Sequence, residues 1–427
     1  MTSASFLAAV ASGGPAALVI LLVRSAPFAL HACVTRRLSW RRRSLVVGAV
    51  GAIAVVAARL APGSWAVIAA APLVALYLVA GSFLVYGLAG WLPGHWIRGG
   101  AVLVQAALWF VVLPAALVTH PVVVATIAIG WDIMLSAHSF AVDTAARDPR
   151  PSFADCLFFL LVNPAVIYVE RGVQVDGARP AVRGVARVLA GTVVMVGRDL
   201  ALVWIGTTPW LFPHAGAPFL SQYVRFCVTQ AVLFLGLYCA HAGLANVQIG
   251  WMAVIGYRIP ERYHFPFLAR DPQDFWRRWN IWVSRWAGRY LYVPLARAWG
   301  ARSARRSAGL ALAVVATFVG IGVLHDLAVY AFRLQARGSG PPPWRITALF
   351  VGFGAIVAGW ATVARRVRRA QRWLVGPARV ALTGLGWIAW VNLVLALTWL
   401  GVPILRTGRF PPALEDAVHR WLAHVAG

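Results

Sequence analysis

Charged residues are scarce in this sequence. Only 12% of the 427 residues are Asp, Glu, Lys or Arg, whereas soluble domains carry about a quarter. Hydrophobic residues make up 60% of the chain, and the mean hydropathy is +0.73. So few charges cannot cover the surface of a chain of this length against water. The composition therefore excludes an ordinary soluble enzyme and favours the lipid bilayer as the solvent.

Acidic residues are scarcer still, and lysine is absent. The chain has 13 acidic residues against 39 basic ones, all of them Arg, which gives a net charge of +26. The arginines form short clusters between apolar runs, whereas a nucleic-acid-binding surface concentrates them on a soluble domain. We therefore expect no nucleic-acid partner. A basic set made only of Arg, with abundant Ala, Val and Gly, is typical of a GC-rich genome and favours a bacterial source.

Cysteine is also rare, and its positions indicate no chemistry. Four cysteines occur in or beside apolar stretches, at Cys33, Cys156, Cys227 and Cys239. Their separations fit neither a disulfide framework nor the ligand spacing of a zinc site. The sequence thus predicts no metal site.

Long apolar runs are what the chain does contain. A spanning helix needs about 20 apolar residues, and candidate runs lie at 6–34, 44–61, 64–91, 100–118, 121–142, 185–210, 218–257, 307–332, 344–364 and 380–404. The run at 218–257 is long enough for two passes, and a shorter apolar piece lies at 155–169. The pattern predicts an all-α polytopic membrane protein with about ten or eleven transmembrane or re-entrant helices in a single domain, residues 1–427. Since Met1–Val34 lacks a basic amino-terminal region, we expect a first membrane segment there rather than a cleaved signal.

The arginine clusters predict the orientation of the chain. They lie at 36–43, 302–306 and 365–372, and the positive-inside rule places such loops in the cytoplasm. We expect an integral protein of the bacterial inner membrane. One further crossing at 380–404 would put the carboxyl-terminal tail, residues 406–427, on the side opposite the cytoplasm. We expect this tail to be a solvated end with no catalytic or binding role.

The region Asp271–Gly300 is too charged to span a bilayer and too aromatic for a solvated loop. Placed on one helix at 100° per residue, Arg278, Arg285 and Arg289 share a face. An aromatic stripe lies beside them, and Asn280 points nearly opposite. This pattern predicts an amphipathic helix along the cytoplasmic interface, with Arg toward headgroups or anionic ligands. A plain anchor helix without chemistry is the alternative.

The sequence of this region is FPFLARDPQDFWRRWNIWVSRWAGRYLYVPL. It resembles the signature of the membrane-bound O-acyltransferase family. The residues that carry the resemblance are Phe275, Trp276, Arg278, Trp279, Asn280, Tyr292, Pro294 and Leu295. The family also has an intramembrane His about forty residues downstream. Here His325 stands beside Asp326 in an apolar run, 45 residues after Asn280. Residues 260–330 form the segment that the resemblance marks as the catalytic core.

The resemblance implies a bundle with a tunnel-like site that transfers an acyl group to a hydroxyl. The donor would be a thioester, acyl-CoA or an acyl carrier, used as co-substrate with no bound cofactor. His325 is expected as general base, because imidazole accepts a proton near neutral pH, and Asn280 as donor to the developing oxyanion. Candidates for substrate binding are Trp276, Arg278, Trp279, Arg285, Arg289, Tyr292, Asp326, His241 and Asn246, and Arg277 could join the arginines that meet donor phosphates.

The acceptor stays open between branches of the family. Asn280 and the His325–Asp326 pair are similar to wax-synthase-like and sterol acyltransferases, whereas the overall length is closer to bacterial proteins. A lipid, an alcohol or another small hydroxyl compound is the favoured acceptor. A cell-envelope polysaccharide, modified together with partner proteins, is the alternative. From another class, a transporter could use His325, Asp326, Asp132 and Asp199 as a proton path, and an acyltransferase-like protein without turnover is a further possibility. The oligomeric state is not indicated.

Overall fold

The predicted all-α class is confirmed. The computed structural model describes residues 21–34, 38–60, 64–113, 121–144, 150–163, 178–206, 219–269, 271–302, 306–335 and 344–373. Within these ranges the chain forms helices joined by turns, with no β-strand.

The helices follow the apolar runs closely. They are α1 Leu21–Val34, α2 Trp40–Leu60, α3 Ser64–Trp91, α4 His95–Ala107, α5 Pro121–Thr144, α6 Phe153–Leu157, α7 Ala178–Gly206, α8 Phe219–Val254, α9 Pro272–Arg278, α10 Ile281–Ala287, α11 Val293–Arg302, α12 Arg306–Gln335 and α13 Arg345–Trp373. Three π-helical turns continue α4, α6 and α10, at Leu108–Val112, Phe158–Val162 and Gly288–Tyr292, and a 3-10 turn covers Pro266–Leu268.

Five of the described segments are long and apolar enough to cross a bilayer. They are Pro72–Trp91, His95–Val112, Pro180–Ala201, Arg306–Leu327 and Ile346–Ala364. The chain is therefore an integral membrane protein of the polytopic kind. The predicted run at 380–404 and the carboxyl-terminal tail lie outside the described residues.

The expectation of two passes at 218–257 is wrong. Phe219–Val254 forms one helix of 36 residues, which rises about 54 Å at 1.5 Å per residue. No proline interrupts it, so nothing in the backbone forces a turn where the apolar run exceeds the length of one span.

Glycines bring α7 and α8 into close contact. A Cβ added to Gly184 would lie 2.6 Å from the carbonyl oxygen of Gly250. Gly191 faces Gly243 in the same way, seven residues along each helix. A separation of seven residues keeps both glycines of a helix on one face. Small residues at such positions let two backbones approach, as is common between helices in membranes.

The helix that carries His325 is unbroken. Glycines can permit a kink, but α12 continues through both Gly320 and Gly322. Gly322 instead packs against the backbone of Thr347 on α13, where an added Cβ would lie 2.6 Å from the Thr347 Cα. Its lack of a side chain serves helix packing rather than a bend.

The predicted interfacial helix over 271–300 is wrong in two respects. The region is broken into α9, α10, a π-helical turn and α11. Two of its Trp side chains also lie in the core: Trp282 and Trp286 are at most 1% exposed and belong to the same cluster as Phe110 and Phe140. The break in the helix turns these Trp side chains inward, where they gain more from burial than an interfacial position offers.

The close approach of α7 and α8 predicts opposite effects for two glycines of the same helix. Gly184→Ala places a methyl group against the Gly250 carbonyl and should cost about 1–3 kcal/mol by overpacking. Gly197 has no atom within 4 Å of an added Cβ, so Gly197→Ala should be neutral or slightly stabilising because Ala favours the helix. Apparent melting temperatures of the two variants in detergent measure this. Equal shifts would contradict the close packing of α7 and α8.

Candidate active site

The chain breaks its helix at Asn280, which has left-handed backbone angles, φ 40° and ψ 60°. Asn tolerates this conformation better than most residues. The loop before α9 holds the break with two backbone hydrogen bonds: the His264 N–H donates to the Arg278 carbonyl at 2.9 Å, and the Ile281 N–H donates to the Arg262 carbonyl at 2.7 Å. Asp271 caps α9 by accepting from the Asp274 N–H at 2.8 Å. Asn280 therefore occupies a fixed corner between two short helices.

A cavity of about 630 Å³ opens beside this corner. It lies between the broken segment and the helices α12 and α13. Asn280 and His325 both line it, so the fold brings together the two residues that the sequence singled out 45 positions apart. The remaining lining residues are Gln273, Trp276, Arg277, Trp279, Ile281, Val283, Ser284, Arg285, Ala287, Gly288, Tyr292, Val314, Thr317, Phe318, Ile321, Phe350 and Val357.

The imidazole of His325 is held in one tautomer. Its Nδ1 lies 2.8 Å from the carbonyl oxygen of Ile321. A carbonyl can only accept, so Nδ1 carries the proton and Nε2 keeps its lone pair. The rings of Trp131 and Phe350 flank the imidazole, each with its centroid 4.9 Å away. The site thus presents a basic nitrogen on an apolar wall.

The carboxylate of Asp326 faces away from this cavity. It is fully buried and caps α13, accepting from the backbone N–H groups of Ile346 at 3.2 Å and Thr347 at 2.7 Å. The Thr347 hydroxyl donates to it as well, at 2.6 Å. A carboxylate at a helix amino terminus satisfies backbone donors and the helix dipole. Asp326 therefore joins α12 to α13 and does not contact the imidazole of its neighbour.

The amide of Asn280 is oriented by a residue that the sequence analysis missed. The Nε of Arg262 donates to Oδ1 of Asn280 at 3.1 Å. No hydrogen bond joins the amide nitrogen to any described residue. Arg262 precedes the motif and lies in a loop without periodicity, so no sequence signal marked it.

The four arginines of the motif do not form one face. Arg278 pairs with Asp274 at 3.0 Å, and Arg289 pairs with Asp143 at 2.9 Å. Arg277 and Arg285 line the cavity with exposed side chains, and neither makes a hydrogen bond or ion pair with the part of the chain that the structure describes. These two guanidinium groups at the cavity offer donors to an anion.

Asp143 also holds the last turn of the motif in place. The Tyr290 hydroxyl donates to Asp143 at 2.6 Å. Burial and this hydrogen bond raise the pKa of Tyr290 above its ordinary value, so the hydroxyl keeps its proton and remains a donor.

Arg278, Arg289 and Asp326 are not among the residues that line the cavity, and two further predicted binding residues also lie outside it. Asn246 accepts from Arg187 on α7, with the Nε to Oδ1 distance at 3.0 Å. The Nδ1 of His241 lies 2.8 Å from the Leu237 carbonyl oxygen of its own helix. Neither side chain lines the cavity. Trp276, Trp279 and Tyr292 do line it.

The carboxylates of the hypothetical proton path each have a structural partner. Asp132 is paired with Arg24 at 3.0 Å and with Arg262 at 3.5 Å. Asp199 is paired with its neighbour Arg198, and Asp326 caps a helix. These contacts disfavour a chain of exchangeable protons. Among the described residues, no three His, Cys, Asp or Glu side chains are grouped as metal ligands.

Comparison with known proteins agrees with the geometry. Residues 152–336 match the family model described as "MBOAT, membrane-bound O-acyltransferase family". The chain is 30% identical over 174 residues to the probable long-chain-alcohol O-fatty-acyltransferase 6 of Arabidopsis thaliana, covering 39% of this chain and 47% of that protein. It is 30% identical over 171 residues to the long-chain-alcohol O-fatty-acyltransferase of Simmondsia chinensis, covering 37% and 47%.

A shorter similarity points to a bacterial relative. The probable alginate O-acetylase AlgI of Azotobacter vinelandii is 37% identical over 59 residues, which cover 14% of this chain and 12% of that protein. The chain spans about half the length, 47%, of the long-chain-alcohol relatives. The matched region, residues 152–336, contains the broken helix, Asn280 and His325, and in this region the chain is similar to the membrane-bound O-acyltransferase family.

Proposed function

We propose that the protein transfers an acyl group from a thioester to the hydroxyl of a lipid, an alcohol or another small acceptor. One observation carries the proposal: Asn280 and His325 line the same cavity. One supplies an amide whose nitrogen has no hydrogen-bond partner among the described residues, and the other supplies a basic ring nitrogen. These are the two groups that ester formation from a thioester requires.

His325 acts as the general base. Its Nδ1 proton is held by the Ile321 carbonyl, so Nε2 takes the proton of the acceptor hydroxyl as the oxygen attacks the thioester carbon. A C–O bond forms, the C–S bond breaks, and the imidazolium returns the proton to the leaving thiolate. The products are an ester and a free thiol, with no net change at the histidine.

Asn280 stabilises the charge that this step creates. The thioester carbonyl oxygen becomes negative during the attack, and the Nδ2 of Asn280 donates a hydrogen bond to it. A fixed donor in a site of low dielectric contributes about 2.7–4 kcal/mol in comparable oxyanion sites. The left-handed backbone of Asn280 and its bond to Arg262 keep the donor in place before substrate arrives.

The acyl donor is acyl-CoA or an acyl carrier that approaches the cavity beside Arg277 and Arg285. Arg277 and Arg285 are exposed at the cavity and unpaired with the described residues, so their guanidinium groups are available to phosphates. Arg278 and Arg289 form ion pairs with carboxylates and stabilise the fold. The Arg-rich loops then face the cytoplasm of a bacterial inner membrane, where acyl thioesters are made.

The apolar wall of the cavity favours a lipid-like acceptor or acyl chain. Phe318, Ile321, Phe350 and Val357 line it. The printed names of the plant relatives specify long-chain alcohols, which suits such a wall. The 59-residue similarity to an alginate O-acetylase favours a second candidate, transfer of a short acyl group to an envelope polysaccharide. Membrane lipids surround the protein in either case.

The proposed function is tested by product analysis. Purified protein in detergent is incubated with acetyl-, butyryl- and palmitoyl-CoA and a pool of alcohols and sterols, and mass spectrometry measures free CoA and new esters. We expect an ester of a long-chain alcohol. Ester formation only with an added polysaccharide would favour the second candidate, and intact donors throughout would refute acyl-CoA as the donor.

Removal of the base should abolish turnover. We expect His325→Ala to lower kcat by about 10²–10⁴-fold because the hydroxyl proton loses its acceptor. His95→Ala is the matched control, since His95 is exposed and lies outside the cavity. Ester yield against time measures both variants. If His325→Ala retains the parent rate, proton transfer does not pass through this histidine.

Removal of the amide should leave the fold intact and impair the reaction. Asn280→Gly keeps the left-handed backbone, which Gly adopts without strain, and deletes the oxyanion donor. We expect kcat to fall by about 10²–10³-fold while the apparent melting temperature changes little. Single-turnover rates at saturating acyl-CoA measure the loss, and an unchanged rate would remove Asn280 from the mechanism.

The two unpaired arginines should determine affinity for the phosphates of the donor. Arg277→Gln and Arg285→Gln should each raise KM for acyl-CoA by about tenfold, the value of one charge-assisted hydrogen bond. KM for an acyl-pantetheine without the nucleotide should not change. Arg297→Gln, exposed on α11, is the control. Equal rises of KM for both donors would show that the arginines do not bind the phosphates of acyl-CoA.

A further inference from the structure

Arg262 is buried behind the candidate oxyanion donor. It is 5% exposed and reaches three groups: the Oδ1 of Asn280 at 3.1 Å, the carboxylate of Asp132 at 3.5 Å and the ring of Trp282, 5.1 Å from its centroid. A charge at such a position is costly unless its contacts are specific. The contacts of Arg262 place it directly between an ion pair and the active site.

The backbone fixes this arrangement independently of the side chains. The Arg262 carbonyl accepts from the Ile281 N–H at 2.7 Å, and the His264 N–H donates to the Arg278 carbonyl at 2.9 Å. These two bonds lie on either side of Asn280. They keep the Cα of Arg262 beside the helix break, so the guanidinium has a short path to the amide.

The charges behind Asn280 sum to one excess positive charge. Asp132 pairs with Arg24 at 3.0 Å on one oxygen and with Arg262 on the other, and the side chains of all three are at most 9% exposed. Burial lowers the pKa of Arg262, but its interactions with Asp132 and Tyr263 together outweigh burial, and the pKa lies above its ordinary value. The guanidinium therefore stays charged.

The amide of Asn280 has only one orientation compatible with these contacts. A guanidinium has no acceptor, so the amide must turn Oδ1 toward Arg262 and its NH₂ group away from it. The NH₂ group is left without a partner among the described residues, on a side chain that lines the cavity. The reversed amide would place two donors against each other beside a buried cation.

We propose that Arg262 is a positioning residue for acyl transfer, which holds the Asn280 amide with its nitrogen toward the thioester oxygen and places a buried positive charge behind it. This inference rests on the proposed function. Arg262 does not touch substrate; it acts through the amide. Its charge also polarises the amide, because an interaction at this distance is weakly screened in a dry site.

The chain contains a matched control in Arg187. This arginine also donates to an Asn Oδ1, that of Asn246 at 3.0 Å, and pairs with a carboxylate, Glu261 at 2.6 Å. Neither Asn246 nor Arg187 lines the cavity. A similar set of contacts, more exposed to solvent, is thus present outside the cavity.

A double-mutant cycle separates positioning from stability. The variants are Arg262→Met, Asn280→Gly and both together, with Arg187→Met as control. Asp132 keeps Arg24 as its partner in Arg262→Met, so the fold should survive. If Arg262→Met does not fold, Arg262→Lys replaces it in the cycle. Lys retains the charge but not the fork of donors that holds the amide. Ester formation is measured as kcat and KM, together with the apparent melting temperature.

We expect Arg262→Met to lower kcat by about 10–100-fold with KM changed less than about twofold, because only a transition-state interaction is lost. In the Asn280→Gly background the same substitution should cost less than about threefold, since two residues that act as one unit are not additive. Arg187→Met should change kcat less than about twofold.

Two results would overturn the proposal, one by refuting the positioning role alone and the other by refuting the proposed function. Equal losses of kcat from Arg262→Met with and without Asn280 would show that Arg262 does not act through the amide, although the acyl transfer itself stands. If the parent protein forms no ester from any donor, the proposed function fails and the positioning role falls with it.

Discussion

The carboxylate of Asp132 joins three distant parts of the chain in an apolar interior. It binds Arg24 of α1 and Arg262 of the loop before α9, and it lies on α5. Because an unpaired charge there costs several kcal/mol, these three elements are held together more specifically than apolar packing alone requires. The position of Arg262, and through it the orientation of the Asn280 amide, depends on this ion pair.

The break at Asn280 is the second constraint, and it redistributes the charges of the motif. An unbroken helix would place Arg278, Arg285 and Arg289 on one face. Arg278 pairs with Asp274 one turn earlier in α9, Arg289 pairs with Asp143 of α5, and Arg277 and Arg285 both line the cavity. Arg277 and Arg285 have no ion-pair partner among the described residues, while Phe318, Ile321 and Phe350 give the cavity an apolar wall. The cationic and apolar parts of the cavity suit an acyl donor that has a charged carrier and an apolar acyl chain.

Neighbouring groups orient the two side chains of the candidate site that the proposed function uses. A backbone carbonyl sets the tautomer of His325, and Arg262 sets the amide of Asn280. Asp326, next to the histidine in sequence, is used to cap α13. Adjacent residues on a helix point in different directions, so a His-Asp pair in sequence need not be a pair in space.

Composition and pattern determined the solvent and the helical class, and the family resemblance named the two candidate residues that line the cavity. Scarce charge and long apolar runs imply membrane helices, and the motif identified Asn280 and His325. The sequence did not reveal that α8 is a single helix, that the motif helix is broken with two of its Trp side chains in the core, or that Arg262 contacts Asn280. Periodicity reports only neighbours within a few turns. Asp132 lies 108 residues from Arg24 and 130 from Arg262, and only tertiary packing brings such groups together.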